Sequence, residues 1–253
     1  MRSLIAFPCA GATLMATLDD APGGTGVLIV SGGNEIRIGP HRGMAMLAAS
    51  LAAQGLPVFR FDRRGIGDSE GENQGWASAA PDLVAAAAAF RAAQPQLTRI
   101  VGLGNCDAAT TLALFGRDAG IDHLVLTNPW LREESDELPP SAAIRSRYAQ
   151  RLRDPATWLR LLRGDIDLRK LAGGLRKLAR PSHADSLPRQ MLTAIERWGE
   201  AATVLLAEGD ATAIAFGAEA KGCAVRIETV PTASHSFVGH AAALEAAILR
   251  AAR

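Results

Sequence analysis

The sequence predicts an α/β fold, a mainly parallel sheet with helices on both faces. Two observations carry this. Short apolar runs recur at 27–30, 57–61, 100–103 and 124–127, each the length of a buried strand and too short for a helix. Stretches with helical spacing lie between them, so strand and helix alternate as in βαβ units. The length of 253 residues, 48% of them hydrophobic, suits one large domain or one domain carrying an insertion.

Taken in order, residues 4–7 and 14–18 read as short strands joined by a turn at Ala10-Gly11. The same stretch follows Arg2 and has the faint outline of an export signal. Pro8, Cys9 and Gly11 interrupt it, it is short for a membrane span, and a strand pair accounts for it equally well. Residues 19–24 form a turn cluster, and strand 27–30 ends in Ser31-Gly32-Gly33-Asn34. Helical spacing over 41–54 is closed by Gly55. Strand 57–61 and the alanine-rich helix 78–94 follow, with Pro81 in or before the first turn. Strand 100–103, helix 108–119 and strand 124–127 complete this half.

The alternation then stops. From 130 to 200 the chain is rich in Arg, Leu and Asp with several prolines, and it reads as helical pieces at 140–152, 155–163 and 187–198. Strand signals return at 203–207 and 224–230, each followed by a helix candidate, at 211–221 and 237–252. The expected organisation is therefore a core in two parts, 1–129 and 201–253, with a helical cap at 130–200. A cap in that position would cover the crevice at the C-terminal ends of the strands, where open α/β sheets bind ligands.

Charge and cysteine usage narrow the function classes. Lys and Arg number 27 and Asp and Glu 26, a formal net charge of +1, which gives no reason to expect a nucleic-acid partner. No strongly apolar run reaches 18 residues, so no stable membrane insertion is expected. Cys9, Cys106 and Cys223 lie far apart and form neither a Cys-x-x-Cys nor a Cys/His cluster. No metal, cofactor or disulfide framework is expected, and the compartment expected is the reducing cytoplasm.

The candidate for chemistry is Cys106, in Gly102-Leu103-Gly104-Asn105-Cys106-Asp107-Ala108. A strand ends, a glycine permits a tight turn, and a helix begins, which is the context of a nucleophile elbow with Cys in the place of Ser. The helix N-terminus favours a thiolate. A buried structural cysteine is the competing reading, and Cys9 and Cys223 are read that way. Of five histidines, His235 is the expected base, since it lies in a polar loop after the last strand and before the last helix. His240 is the runner-up. His123 precedes a strand on the opposite side of the sheet, and His183 falls in the cap. Asp210, in the loop after strand 203–207, is the expected orienting acid, with a rival role as the N-cap of the next helix and Glu208 as an alternative. Backbone amides of Gly33 or Asn34 and of Asp107 are the expected oxyanion donors. His41, Trp130 and Trp158 are candidate pocket residues.

The segment Asp62-Arg63-Arg64-Gly65-Ile66-Gly67-Asp68-Ser69 resembles the Asp-x-Arg-Gly-x-Gly-x-Ser segment of α/β-hydrolases. Arg64 and Asp68 are read there as supports of the loop. With Ser31–Asn34, Gly104–Ala108, Asp210 and His235, the resemblance spans nearly the whole chain outside the cap. It implies an α/β-hydrolase fold with a helical cap insertion, and the order nucleophile, acid, histidine is the order of that fold. Ala108 stands where the usual elbow has Gly. The runs Phe7-Pro8-Cys9, Gly39-Pro40-His41-Arg42, Gly67-Asp68-Ser69-Glu70-Gly71 and Gly104-Asn105-Cys106-Asp107 further resemble the first type of exosortase A system-associated hydrolases, encoded beside a sorting and exopolysaccharide system.

The expected activity is cleavage of an ester or thioester through a Cys106 thioester, on a small-molecule or acyl-carrier substrate, with water or another acceptor resolving it. Two other readings stay open: a noncatalytic binding or assembly protein on the same scaffold, and a dienelactone-type hydrolase that opens a cyclic ester.

Overall fold

A two-residue turn sets the first strand pair. Ala10 (φ 49°) and Gly11 (φ 82°) both take positive φ, as the tight hairpin between twisted strands requires. They join β1 (Arg2–Cys9) to β2 (Ala12–Asp19) in antiparallel register, with Cys9 opposite Ala12. The computed structural model describes residues 1–131 and 186–253. The expected helices at 140–152 and 155–163, together with Trp158 and His183, lie outside the described residues.

The apolar runs form the strands they predict: β3 (Thr25–Val30), β4 (Val58–Phe61), β5 (Arg99–Asn105), β6 (His123–Thr127), β7 (Ala202–Ala207) and β8 (Ile227–Val230). One eight-stranded sheet results, in the order β1-β2-β4-β3-β5-β6-β7-β8. The pairs β1–β2 and β2–β4 are antiparallel and all the others are parallel. The chain leaves β3 for β4 on one side and returns to place β5 on the other. A crevice therefore opens beyond the C-terminal ends of β3 and β5.

Helices α1 (Gly43–Ala53), α2 (Ala80–Ala93), α3 (Asp107–Phe115), α4 (Leu187–Trp198), α5 (Ala211–Glu219) and α6 (Ala241–Ala251) cover the sheet. One face packs Leu47, Leu51, Leu244 and Ile248 of α1 and α6 on Val101 and Val125. The other packs α2 to α5 through Phe90, Leu112, Ile195 and Phe216, with the Phe59 and Phe90 rings stacked 5.2 Å apart. Each buried aromatic of this kind removes a large apolar area from water. α4 lies within the segment 130–200 expected as the cap. It lays Met191, Ile195 and Trp198 into the core, and the Trp198 indole donates to the Ala113 carbonyl at 3.0 Å.

Several boundaries differ from expectation, and three of them have a clear backbone reason. α1 starts at Gly43 rather than 41 because His41 (φ 50°) and Arg42 (φ 61°) are left-handed. α6 starts at Ala241 rather than 237 because Phe237 (φ 55°) and Gly239 (φ 82°) break the helical path. β8 starts at Ile227 rather than 224 because an edge strand persists only where it pairs, and its register with β7 runs from Val204–Ile227 to Ala207–Val230.

Candidate active site

Cys106 sits between β5 and α3 with φ 59° and ψ −125°. A β-carbon-bearing residue held there stores about 1–3 kcal/mol of strain, which the surroundings must impose. They do so with hydrogen bonds. The Cys106 N–H donates to the Thr127 carbonyl at 2.9 Å, and its own carbonyl accepts from Ala109 and Trp130, each at 3.1 Å. Packing fixes the turn from below. A β-carbon on Gly104 would lie 2.8 Å from the Ala108 backbone, so glycine there lets α3 start hard against β5. Ala108, fully buried, is the small residue that this approach requires.

The loops after β7 and β8 meet beside the elbow. Gly209 donates to the Thr232 carbonyl at 2.9 Å, and a β-carbon on Gly209 would lie 2.8 Å from that of Ala233. This close contact brings Asp210 Oδ2 to 3.0 Å from His235 Nδ1. Asp210 also fills its rival role, because Oδ1 accepts from the Thr212 and Ala213 amides at 3.0 Å each and caps α5. Glu208 takes no part, bonding the Thr229 hydroxyl at 3.0 Å instead. Phe237, buried in the core, anchors the far side of the His235 loop.

Electrostatics couple the three groups. The His235 imidazole is pushed up to about 10, first by its hydrogen bond to Asp210 and next by its hydrogen bond to Cys106, with burial opposing. Burial disfavours the Asp210 charge, yet the His235 bond and the Ala213 and Thr212 amides together hold its carboxyl below the usual range. The other cysteines have different settings. Cys9 is buried against Asp82, and burial first, then that contact, push its thiol up to about 11. Cys223 lies beside Glu196, and its thiol is raised as well.

The expected oxyanion loop holds a surprise. The Gly33 N–H donates at 2.5 Å to the side chain of Asp107, the residue directly after Cys106. The other Asp107 oxygen lies 3.2 Å from Arg63 Nη2, which also donates to the Gly33 carbonyl at 2.5 Å. The Asn34 side chain accepts from Asn73 at 3.0 Å. The Asp107 N–H opens α3, where the first amides have no acceptor within the helix. His41 is exposed on the turn Pro40–Arg42, whereas Trp130 is tied to the elbow by its N–H bond to Cys106.

Three residues at the site escaped the sequence reading. Asn128, fully buried, donates to the His235 carbonyl at 2.8 Å and accepts from the Ala207 amide at 2.9 Å, bracing the His235 loop against β7. Its left-handed φ of 43° suits asparagine, and Asn directly after a strand was the available signal. Glu35 lines a small cleft with Ser31, Gly32, Asn105 and Ser236. Burial, and then Asp107, raise its carboxyl against the opposing His235 and Ser236. Arg63 is the third, read only as part of a loop motif. Its neighbours Arg64 and Asp68 do support that loop, through Asp82 and Arg37. Among the described residues no group of three or more His, Cys, Asp or Glu side chains is placed to hold a metal ion. None of their helices is long and apolar enough to cross a membrane.

Sheet order, elbow and chain order define a class, and the family comparison agrees. The alpha/beta hydrolase family model matches residues 27–247, and the chain belongs to that family. It is similar in structure to the α/β-hydrolase GrgF from Penicillium sp. sh18, with a TM-score of 0.62 at 18% identity over 99% of this chain and 97% of that one. A thioesterase domain from the curacin biosynthetic pathway gives 0.59 at 17% over 98% and 99%. The Pyrococcus furiosus esterase PF2001 gives 0.64 at 14% over 99% and 90%. No curated protein sequence matches the chain.

Proposed function

We propose that the protein is an acyl hydrolase that cleaves an ester or thioester through a thioester on Cys106. The observation that carries this is the strained Cys106 elbow with a hydrogen-bonded His235–Asp210 pair beside it. In the proposed cycle the raised imidazole accepts the thiol proton, and the sulfur attacks the acyl carbonyl. The imidazolium then protonates the departing alkoxide or thiolate. Asp210 holds Nδ1, so that Nε2 faces the reacting atoms. Water, deprotonated by the same imidazole, attacks the thioester, releases the acid and restores the thiol. The structurally similar esterase and thioesterase are in keeping with this chemistry. The free cysteines suit a reducing, cytoplasmic setting. The motif resemblance to exosortase A system-associated hydrolases adds an exopolysaccharide-linked context and no substrate.

A second reading, a noncatalytic binding protein, draws on one observation: the Gly33 amide is already occupied by Asp107. A panel of short and long acyl esters and thioesters separates the two readings. The proposal expects hydrolysis that is lost in Cys106→Ala and after one equivalent of iodoacetamide at Cys106. Full turnover by Cys106→Ala would end it.

A further inference from the structure

The Asp107 carboxylate competes with the reaction proposed above. On the acyl-hydrolase reading, an acyl oxygen gaining negative charge at the elbow takes the Gly33 amide as a donor, and in the free protein that amide donates to Asp107 Oδ1 at 2.5 Å. Two anions cannot share one N–H, and loss of a single such donor costs roughly 10²–10³ in rate. Next to Asp107 stands a second unusual group. Arg63 is only 3% exposed, and its Nη1 is one of two buried side-chain nitrogens with no hydrogen-bond partner among the described residues. A buried unpaired donor is costly and calls for a reason. Its Nη2 already reaches Asp107 Oδ2 at 3.2 Å.

We propose that Asp107 is a gate on the oxyanion site, a positioning residue with two seats. In the closed seat its carboxylate holds the Gly33 N–H. In the open seat it rotates onto Arg63 and takes both Nη atoms in the two-pronged geometry that guanidinium and carboxylate favour. That movement satisfies the orphan Nη1 and releases the Gly33 amide to the substrate oxygen. Only the open fraction reacts, so the observed acylation rate is the intrinsic rate scaled by that fraction. The inference rests on the acyl-hydrolase reading and adds a control step to it.

The test compares two reactions of Cys106. Acylation by p-nitrophenyl acetate needs the oxyanion site, whereas alkylation by iodoacetamide needs only the sulfur. Their ratio cancels any change in thiol reactivity caused by removing a nearby charge. Asp107→Ala should raise the ratio of acylation to alkylation about tenfold. Arg63→Gln, which removes the open seat, should lower it, and Arg63→Gln should change nothing further in the Asp107→Ala background. If Arg63→Gln does not fold, the Asp107→Ala ratio alone decides. A ratio unchanged or lowered in Asp107→Ala, with Cys106 still acylated in both proteins, overturns the gate and leaves the hydrolase reading standing. If Cys106 is alkylated but acylated in neither protein, both fall together.

Discussion

Asp210 divides its carboxylate between two tasks: Oδ2 meets His235 Nδ1 at 3.0 Å while Oδ1 caps α5. The pair sets a pH window for stability. His235 is raised from 6.5 to about 10, so its contribution is full below about 6.5 and is lost as pH rises through about 10. Asp210 is lowered from 3.8, so its contribution is full above that value and is lost as pH falls through the depressed one. Thermal unfolding of wild type against His235→Ala should show the largest difference between about pH 4 and 6.5, shrinking toward pH 10. A difference that grows with rising pH would contradict the assignment.

The two oxygens can be separated by substitution. Asparagine is as good an N-cap as aspartate, so Asp210→Asn should keep the stability of α5 while its acylation rate falls about 10²-fold or more. Asp210→Ala should lose activity and, beyond the ion-pair stability that Asp210→Asn also loses, about 1 kcal/mol more with the cap. Paired urea denaturation and burst kinetics test this; equal activity in wild type and Asp210→Asn removes Asp210 from the site.

Gly209 carries no functional group, yet it governs the distance between Asp210 and His235. Its missing β-carbon would stand 2.8 Å from that of Ala233. Gly209→Ala should force the two loops apart and lower turnover at least about tenfold, with destabilisation of about 1–3 kcal/mol. The Nδ1 proton of His235, observed by NMR in its Asp210 hydrogen bond, should move upfield. Wild-type turnover in a folded Gly209→Ala protein would contradict this.

Asn128 ties the His235 carbonyl to the Ala207 amide inside the protein. Asn128→Ala leaves both groups without that partner, which costs about 1–3 kcal/mol. It should also free the His235 loop, visible as faster amide exchange from 232 to 238. An unchanged urea midpoint would show that the brace contributes nothing.

What was legible in the sequence followed from local rules. Buried parallel strands such as β3 and β5 are continuous apolar runs, and Gly104 with Ala108 marks a place where helix and strand touch. Cys106, Asp210 and His235 could be picked out as candidates because each follows a strand at the same edge of the sheet. Beyond the Asp210–His235 pair, side-chain relations across long sequence separations were not legible. The Asp107–Gly33 bond spans 74 residues and the Arg63–Asp107 pair 44. Neither residue type nor spacing says that the Asp107 side chain, rather than its amide, will face Gly33. Left-handed backbone at Arg42 and Phe237 was equally hidden, since neither is a residue that favours it.

The proposed reaction passes through a covalent acyl group on Cys106. Rapid-quench intact mass spectrometry with p-nitrophenyl acetate, followed by peptide mapping, tests it most directly. One acetyl group per chain is expected on Cys106, accumulating in His235→Ala because water is no longer activated, and absent in Cys106→Ala. Acetylation at another residue, or hydrolysis that persists with Cys106 unmodified throughout, would contradict it.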